Sequence, residues 1–165
     1  MSTRIAICPG SYDPVTLGHV DIIRRAAAMF DHVVVGVVRR PNHKDPLIAA
    51  AERVALLEES LADVSNVTVE TFSELAVDFA RRSGACALVK GLRAVSDFEW
   101  EFQMQQLNKH LYPELETVYL AASGRYMFVS SSGVREIAAF GGPVIDLVPP
   151  CVVRWFEEHP SSRNM

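Results

Sequence analysis

Cysteine is scarce in this chain: three residues in 165, at Cys8, Cys86 and Cys151. The number is odd and the separations exclude a CxxC pair, so no disulfide framework is expected. Each lies in or beside an apolar segment and reads as a small buried hydrophobe. No apolar run approaches the ~20 residues of a membrane span. No basic stretch leads into an apolar block at the N-terminus, so no secretory signal is expected, and the expected location is cytoplasmic. Positive charge is also short, with 16 Lys and Arg against 20 Asp and Glu and a net charge of −4. That balance excludes a general nucleic-acid binder held by a basic surface. Any anion site must concentrate its cations locally. Two nucleotide-binding devices, GxxxxGK[ST] and GxGxxG, do not occur.

What is present is an ordinary globular composition, 49% apolar and 22% charged, too apolar for a disordered chain. Short runs rich in Val, Ile and Leu at Arg4–Cys8, Val33–Val38, Val67–Thr71, Ala87–Val89 and Thr117–Ala121 read as strands covered on both faces. Helical patterns alternate with them at Gly18–Met29, Ala49–Ala62, Leu75–Ser83 and Asp97–Leu111. Two more follow at Ser132–Phe140 and Cys151–His159. Repeated strand–helix units with short connections predict an α/β fold: a doubly wound, Rossmann-like, five-stranded parallel sheet with helices on both faces. No linker divides the chain, so residues 1–165 are expected to form one domain, with about 159–165 frayed.

In such a sheet ligands sit beyond the carboxyl ends of the strands. Every segment with unusual chemistry falls on that edge. After the first strand comes PGSYDPVTLGH, residues 9–19. Pro9-Gly10 makes a sharp exit and lets backbone approach a ligand closely. Ser11 offers a hydroxyl and an amide, and Thr16 caps a helix whose free N–H groups favour phosphate. His19, in the first turn, can donate to the same anion. Asp13 is either part of that site or an Asx-turn former. Arg39, Arg40, His43 and Lys44 crowd the loop after the second strand. Lys90-Gly-Leu-Arg93 follows the fourth, its glycine permitting close backbone approach. Ser130-Ser131-Ser132, with Arg135 one turn on, starts a second helix suited to an anion. The helix from Asp97 has a capping box at Ser96-x-x-Glu99. It carries Trp100, Met104, Leu107 and Leu111 on one face and Phe98 and Phe102 on another. Two apolar faces leave two readings open: a helix deep in the subunit, or one meeting a second subunit.

Together PGSYDPVTLGH, KGLRAVSDFEWE, LNKHLYPELETVYL and FVSSSGVRE resemble the bacterial phosphopantetheine adenylyltransferase family, over about Arg4 to Pro149. That family belongs to the nucleotidyltransferases marked by T/H-x-G-H and a distal serine-rich motif. The resemblance implies transfer of AMP from ATP to 4'-phosphopantetheine, giving dephospho-coenzyme A and pyrophosphate in coenzyme A biosynthesis. It implies that Ser11 touches both substrates, that Tyr12 contacts ATP and that His19 stabilises the transition state. Lys44 matches the substrate lysine, although the loop is one residue longer than usual and His43 is the alternative. Ala76 falls on a pantetheine-contacting position and Lys90, an arginine in many members, on the pantetheine phosphate. Gly91, Leu92, Arg93 and Glu101 fall on ATP positions, as do Tyr126, Met127, Phe128, Val129, Ser130, Ser131 and Ser132. His19, Lys44 and Arg93 are the expected catalytic donors. The resemblance further implies Mg²⁺ held through ATP phosphates, a homohexamer, and feedback inhibition by coenzyme A.

No Ser/His/Asp or Cys/His arrangement is evident, so direct in-line attack without a covalent intermediate is expected. Two rivals stand: a nucleotidyltransferase acting on nicotinate mononucleotide or glycerol phosphate, and a non-catalytic nucleotide sensor.

Overall fold

The computed structural model describes residues 3–40 and 45–160. Five strands form one sheet: β1 (Ile5–Gly10), β2 (His32–Val38), β3 (Val67–Phe72), β4 (Ala87–Leu92) and β5 (Glu116–Ala121). Their order is β3-β2-β1-β4-β5 and every pairing is parallel. Six helices connect and flank them: α1 (Leu17–Ala27), α2 (Ala50–Ser60), α3 (Ala76–Arg82), α4 (Val95–Leu111), α5 (Ser131–Ala139) and α6 (Pro150–Glu158). This is the doubly wound arrangement that the sequence predicts, and most element ends differ from expectation by a residue or two.

Strand alternation divides the core. Ala6, Cys8, Val33, Val35, Val37 and Val89 pack under α1, α2, α5 and α6, with Leu57, Val152 and Phe156 among the fully buried helix residues. Ile7, Val34 and Leu88 face the other way, beneath α3, with Phe72 and Phe79 stacked at 4.7 Å between centroids. The winding reverses between β1 and β4. A right-handed crossover from β3 to β4 must cross to the opposite face, leaving a crevice at the reversal. Pairing there is short, confined to Ala6↔Ala87 and Ile7↔Leu88, so β1 and β4 part above that level.

That parting explains two departures from the sequence reading. Pro9-Gly10 does not exit the strand; Pro9 pairs with Gly36 and Gly10 with Val37. A proline is tolerated because β1 has only β2 beside it at that height. Likewise Lys90, Gly91 and Leu92 are strand residues, opposite Tyr119, Leu120 and Ala121. Gly91 is required by packing: a Cβ there would lie 2.8 Å from Ile22 Cγ1 on α1.

Two further expectations fail, and one of two open readings is excluded. The capping box at Ser96 does not form, since α4 begins at Val95 with Ala94 as its uncapped N-cap. The Asp97 carboxylate instead accepts from the Arg93 amide at 3.1 Å and from Arg93 Nε at 3.2 Å. Cys86 is exposed, unlike Cys8 and Cys151. And α4 is not deep in the subunit: it has no buried residue, with Trp100 65% and Leu107 58% exposed.

Candidate active site

The crevice between β1 and β4 opens into a cleft of about 590 Å³, within the range of small-molecule sites. Two helix N-termini enter it. In α1, Thr16 is the N-cap, and its hydroxyl accepts from the His19 amide at 3.3 Å while His19 Nδ1 accepts from the Thr16 amide at 3.0 Å. Because a backbone N–H can only donate, Nδ1 carries no proton, and the neutral ring holds its proton on Nε2. Burial, and secondarily the charge of Arg93, lowers the His19 pKa from 6.5 to about 4. At neutral pH the cleft is therefore offered an uncharged Nε2–H donor.

The depressed pKa has a consequence for stability. Between pH 6.5 and 4 the unfolded chain binds a proton at this residue that the folded chain refuses, so His19 lowers stability as pH falls through that window. Urea titrations of wild type and His19→Gln should show wild type losing stability faster with acidification, by up to about 1.4 kcal/mol per pH unit. Equal slopes would show that the ring is not held neutral.

At the second terminus, Ser130 caps α5, its hydroxyl accepting from the Gly133 amide at 3.0 Å. Ser131 Oγ donates to the Pro14 carbonyl at 2.8 Å, and Ser132 Oγ accepts from Arg135 Nη2 at 3.3 Å. All three hydroxyls are thus engaged within the protein. What the helix start offers an anion is its main-chain N–H groups, together with the Ser130 and Ser132 hydroxyl hydrogens, which those accepting contacts do not use. Arg135 also donates to the Asp13 carbonyl and lies 3.4 Å from its carboxylate, so it braces the first loop.

Opposite stand the β4 cations. Lys90 Nζ lies 3.2 Å from Glu101 Oε1 on α4. Arg93 is held by Asp97 and donates to the Val129 carbonyl at 3.3 Å. Tyr12 sits at φ 50°, a left-handed conformation costly for a bulky residue and found at functional sites. Its ring is buried, its hydroxyl donates to the Cys8 carbonyl at 2.8 Å, and it meets His19 edge-on at 5.1 Å between centroids. Only the Tyr12 main chain is left to face a ligand. At the β5 end, Ser123 Oγ donates to Asp21 Oδ2 at 2.8 Å and Arg25 Nη1 to the Ala121 carbonyl at 2.8 Å, tying that loop to α1.

The cleft brings together Ser11, Tyr12, His19, Lys90, Gly91, Arg93, Glu101, Tyr126, Val129 and the three serines. Leu92, Met127 and Phe128 are not among its lining residues, and Phe128 is 75% exposed. Ala76 begins α3 and packs against the core of the other sheet face, away from the cleft lining. Lys44 and its alternative His43 lie outside the described residues.

Neither reading of Asp13 holds. It is 5% exposed, with Oδ2 accepting from the Leu47 amide at 2.9 Å and Oδ1 from the Ile48 amide at 2.8 Å. It anchors the segment entering α2, a contact across more than thirty residues that no local pattern encodes. Asp13→Ala should lower unfolding free energy by about 3 kcal/mol, since two buried amides and a guanidinium lose their acceptor. An unchanged urea midpoint would show these bonds to be idle. Nothing in the local sequence pattern marks Arg53, which is a fully buried charge.

Comparison with known proteins agrees with this architecture. The cytidylyltransferase-like family model matches residues 7–137. A phosphopantetheine adenylyltransferase from Rubrobacter xylanophilus is 60% identical over 146 residues, covering 88% of each chain. One from Heliobacterium modesticaldum is 55% identical over 149 residues, 90% of this chain and 88% of that one. The fold alone is shared with a solved protein from Vibrio parahaemolyticus described as a candidate nicotinate-nucleotide adenylyltransferase. It has 16% identity and a TM-score of 0.74, over 99% of this chain and 98% of that one. On the strength of these identities and their coverage, the chain belongs to the phosphopantetheine adenylyltransferase family.

Proposed function

We propose that this protein transfers the adenylyl group of ATP to 4'-phosphopantetheine, releasing pyrophosphate and forming dephospho-coenzyme A in coenzyme A biosynthesis. The observation that carries the reading is the convergence of two helix N-termini, a neutral Nε2–H histidine and two cations on one crevice. Phosphate-rich substrates need those groups, and the relatives' name supplies the acceptor.

The nucleophile is a phosphate oxygen of phosphopantetheine, mostly deprotonated at neutral pH because its second pKa is about 6. It attacks the α-phosphorus of ATP in line. A bond forms from that oxygen to phosphorus, the bond to the α–β bridging oxygen breaks, and pyrophosphate departs with the electron pair. No general base is required and no covalent enzyme intermediate forms. His19 donates Nε2–H to a non-bridging α-oxygen as charge builds there, without surrendering its proton. Arg93 and the N–H groups of α5 receive the β- and γ-phosphates. Lys90 holds the attacking phosphate, leaving Glu101 for ATP. Ser11 and the Tyr12 main chain lie between the reactants, Gly91 beside the nucleotide, and Tyr126 and Val129 to Ser132 around its adenine and phosphates, with Leu92, Met127 and Phe128 outside the inner cleft. Lys44, or His43 in its place, adds a cation from the second loop, and Ala76 touches the pantetheine arm outside the inner cleft.

Mg²⁺ enters with ATP. Among the described residues no group of three or more His, Cys, Asp or Glu side chains could cage a metal; of the two cleft carboxylates Asp97 is paired with Arg93, and Glu101 alone comes free when Lys90 takes the attacking phosphate. The donor set therefore fits an ion held by ATP phosphates, where it would neutralise their charge. The reading extends to a cytoplasmic homohexamer, inhibited by coenzyme A, in which neighbouring copies cover the apolar faces of α4. No described helix is long and apolar enough to cross a membrane.

An acceptor panel tests the function. With ATP and Mg²⁺, pyrophosphate should appear with phosphopantetheine and not with nicotinate mononucleotide or glycerol phosphate. Release with either of those alone would reassign the acceptor, and none with any acceptor would leave a nucleotide sensor.

A further inference from the structure

Arg53 sits in the helical run AAERVALL, where local pattern gives no reason to bury it, yet it has 0% exposure. A buried cation ordinarily pairs with a carboxylate. Among the described residues, every hydrogen bond of this guanidinium goes instead to a backbone carbonyl. Nε donates to Ile48 at 2.9 Å, Nη1 to Ser11 at 2.6 Å and to Val38 at 2.9 Å, and Nη2 to Arg39 at 3.0 Å. Burial lowers its pKa, and the nearby charge of Asp13 opposes that shift.

The four carbonyls belong to three separate places. Ser11 lies just beyond β1 in the first loop. Val38 and Arg39 are the outgoing leg of the second loop, and Ile48 is its returning leg before α2. One planar group with donors in a fixed fork thus sets the distance between the two loops and closes the base of the second. A core filler would need no such set of acceptors, and a lysine ammonium, donating from one point, cannot span them.

We propose that Arg53 is a positioning residue for adenylyl transfer, fixing Ser11 relative to both legs of the basic second loop. This rests on the functional reading above. Arg53 touches no substrate. It acts by holding the groups that do, and misplacement by about 1 Å can cost about a hundredfold in rate.

The test compares Arg53→Lys and Arg53→Gln with Leu57→Ala, a buried core change on the same helix. All are assayed in a stabilising osmolyte, with the folded fraction read by near-ultraviolet circular dichroism and kcat expressed per folded molecule. Both Arg53 variants should lose about ten- to a hundredfold in kcat, with KM for ATP within about threefold, while Leu57→Ala keeps its kcat despite lower stability. If the Arg53 variants keep kcat within about threefold per folded molecule, as Leu57→Ala does, Arg53 is only structural and the proposal falls. Wild-type turnover with phosphopantetheine answers the functional reading separately. The Arg53 ratio is taken against wild type with whichever acceptor turns over.

Discussion

His19→Ala is expected to lower kcat by about a hundred- to a thousandfold, the usual loss when one preorganised donor to a developing oxyanion is removed. KM for ATP should change little, because the N–H groups of both helix starts and Arg93 remain. The size of the effect follows from the ring's fixed state. Nδ1 is committed to the Thr16 amide and the pKa is about 4, so Nε2–H points a ready donor into the cleft without reorganisation. The same substitution removes half of a capping box and should cost about 1 kcal/mol of stability. Steady-state kinetics with a matched melting curve separates the two losses. A His19→Ala enzyme within tenfold of wild-type kcat would remove the histidine from the mechanism.

The second large effect is on substrate affinity. Lys90→Ala should raise KM for phosphopantetheine by roughly ten- to a hundredfold, corresponding to one charge-assisted bond to phosphate. KM for ATP should rise less, through Glu101, which loses its 3.2 Å partner. Lys90→Arg is the informative companion: it keeps the charge and adds bidentate geometry, so it should recover most of the affinity. Equal increases in both KM values for Lys90→Ala, unrelieved by arginine, would mean that Lys90 serves only to hold Glu101.

How far the sequence discloses such a site depends on the distance over which each residue finds its partners. Buried parallel strands announce themselves through continuous Val and Ile, and Thr16 through its place three residues before His19, because these signals are local. The chemistry-bearing loops could be assigned to one sheet edge because parallel winding leaves them no other. From sequence Pro9-Gly10 reads as a strand exit and Lys90-Gly91 as lying beyond the fourth strand, because their strand character comes from β2 and β5, and Gly91 answers to Ile22 on another helix. Asp13 and Arg53 escaped for the same reason. Arg53 binds backbone groups up to 42 residues away, which carry no side-chain signature, and Asp13 binds amides 34 and 35 residues on and Arg135, 122 residues on. Ser96-x-x-Glu99 has the letters of a capping box, but the Asp97 link to Arg93 helps start α4 two residues earlier. The exposure of α4 is likewise tertiary, since the sequence shows two apolar faces but not what covers them.

The account rests on one direct displacement at the α-phosphorus with phosphopantetheine as nucleophile. Turnover of a single diastereomer of adenosine 5'-O-(1-thiotriphosphate) with phosphopantetheine, followed by phosphorus NMR of the product, tests it most directly. The account predicts a thio-substituted dephospho-coenzyme A of inverted configuration. Retention would contradict a single displacement by requiring an adenylylated enzyme, and absence of that product while ATP turns over with another acceptor would contradict the assigned substrate.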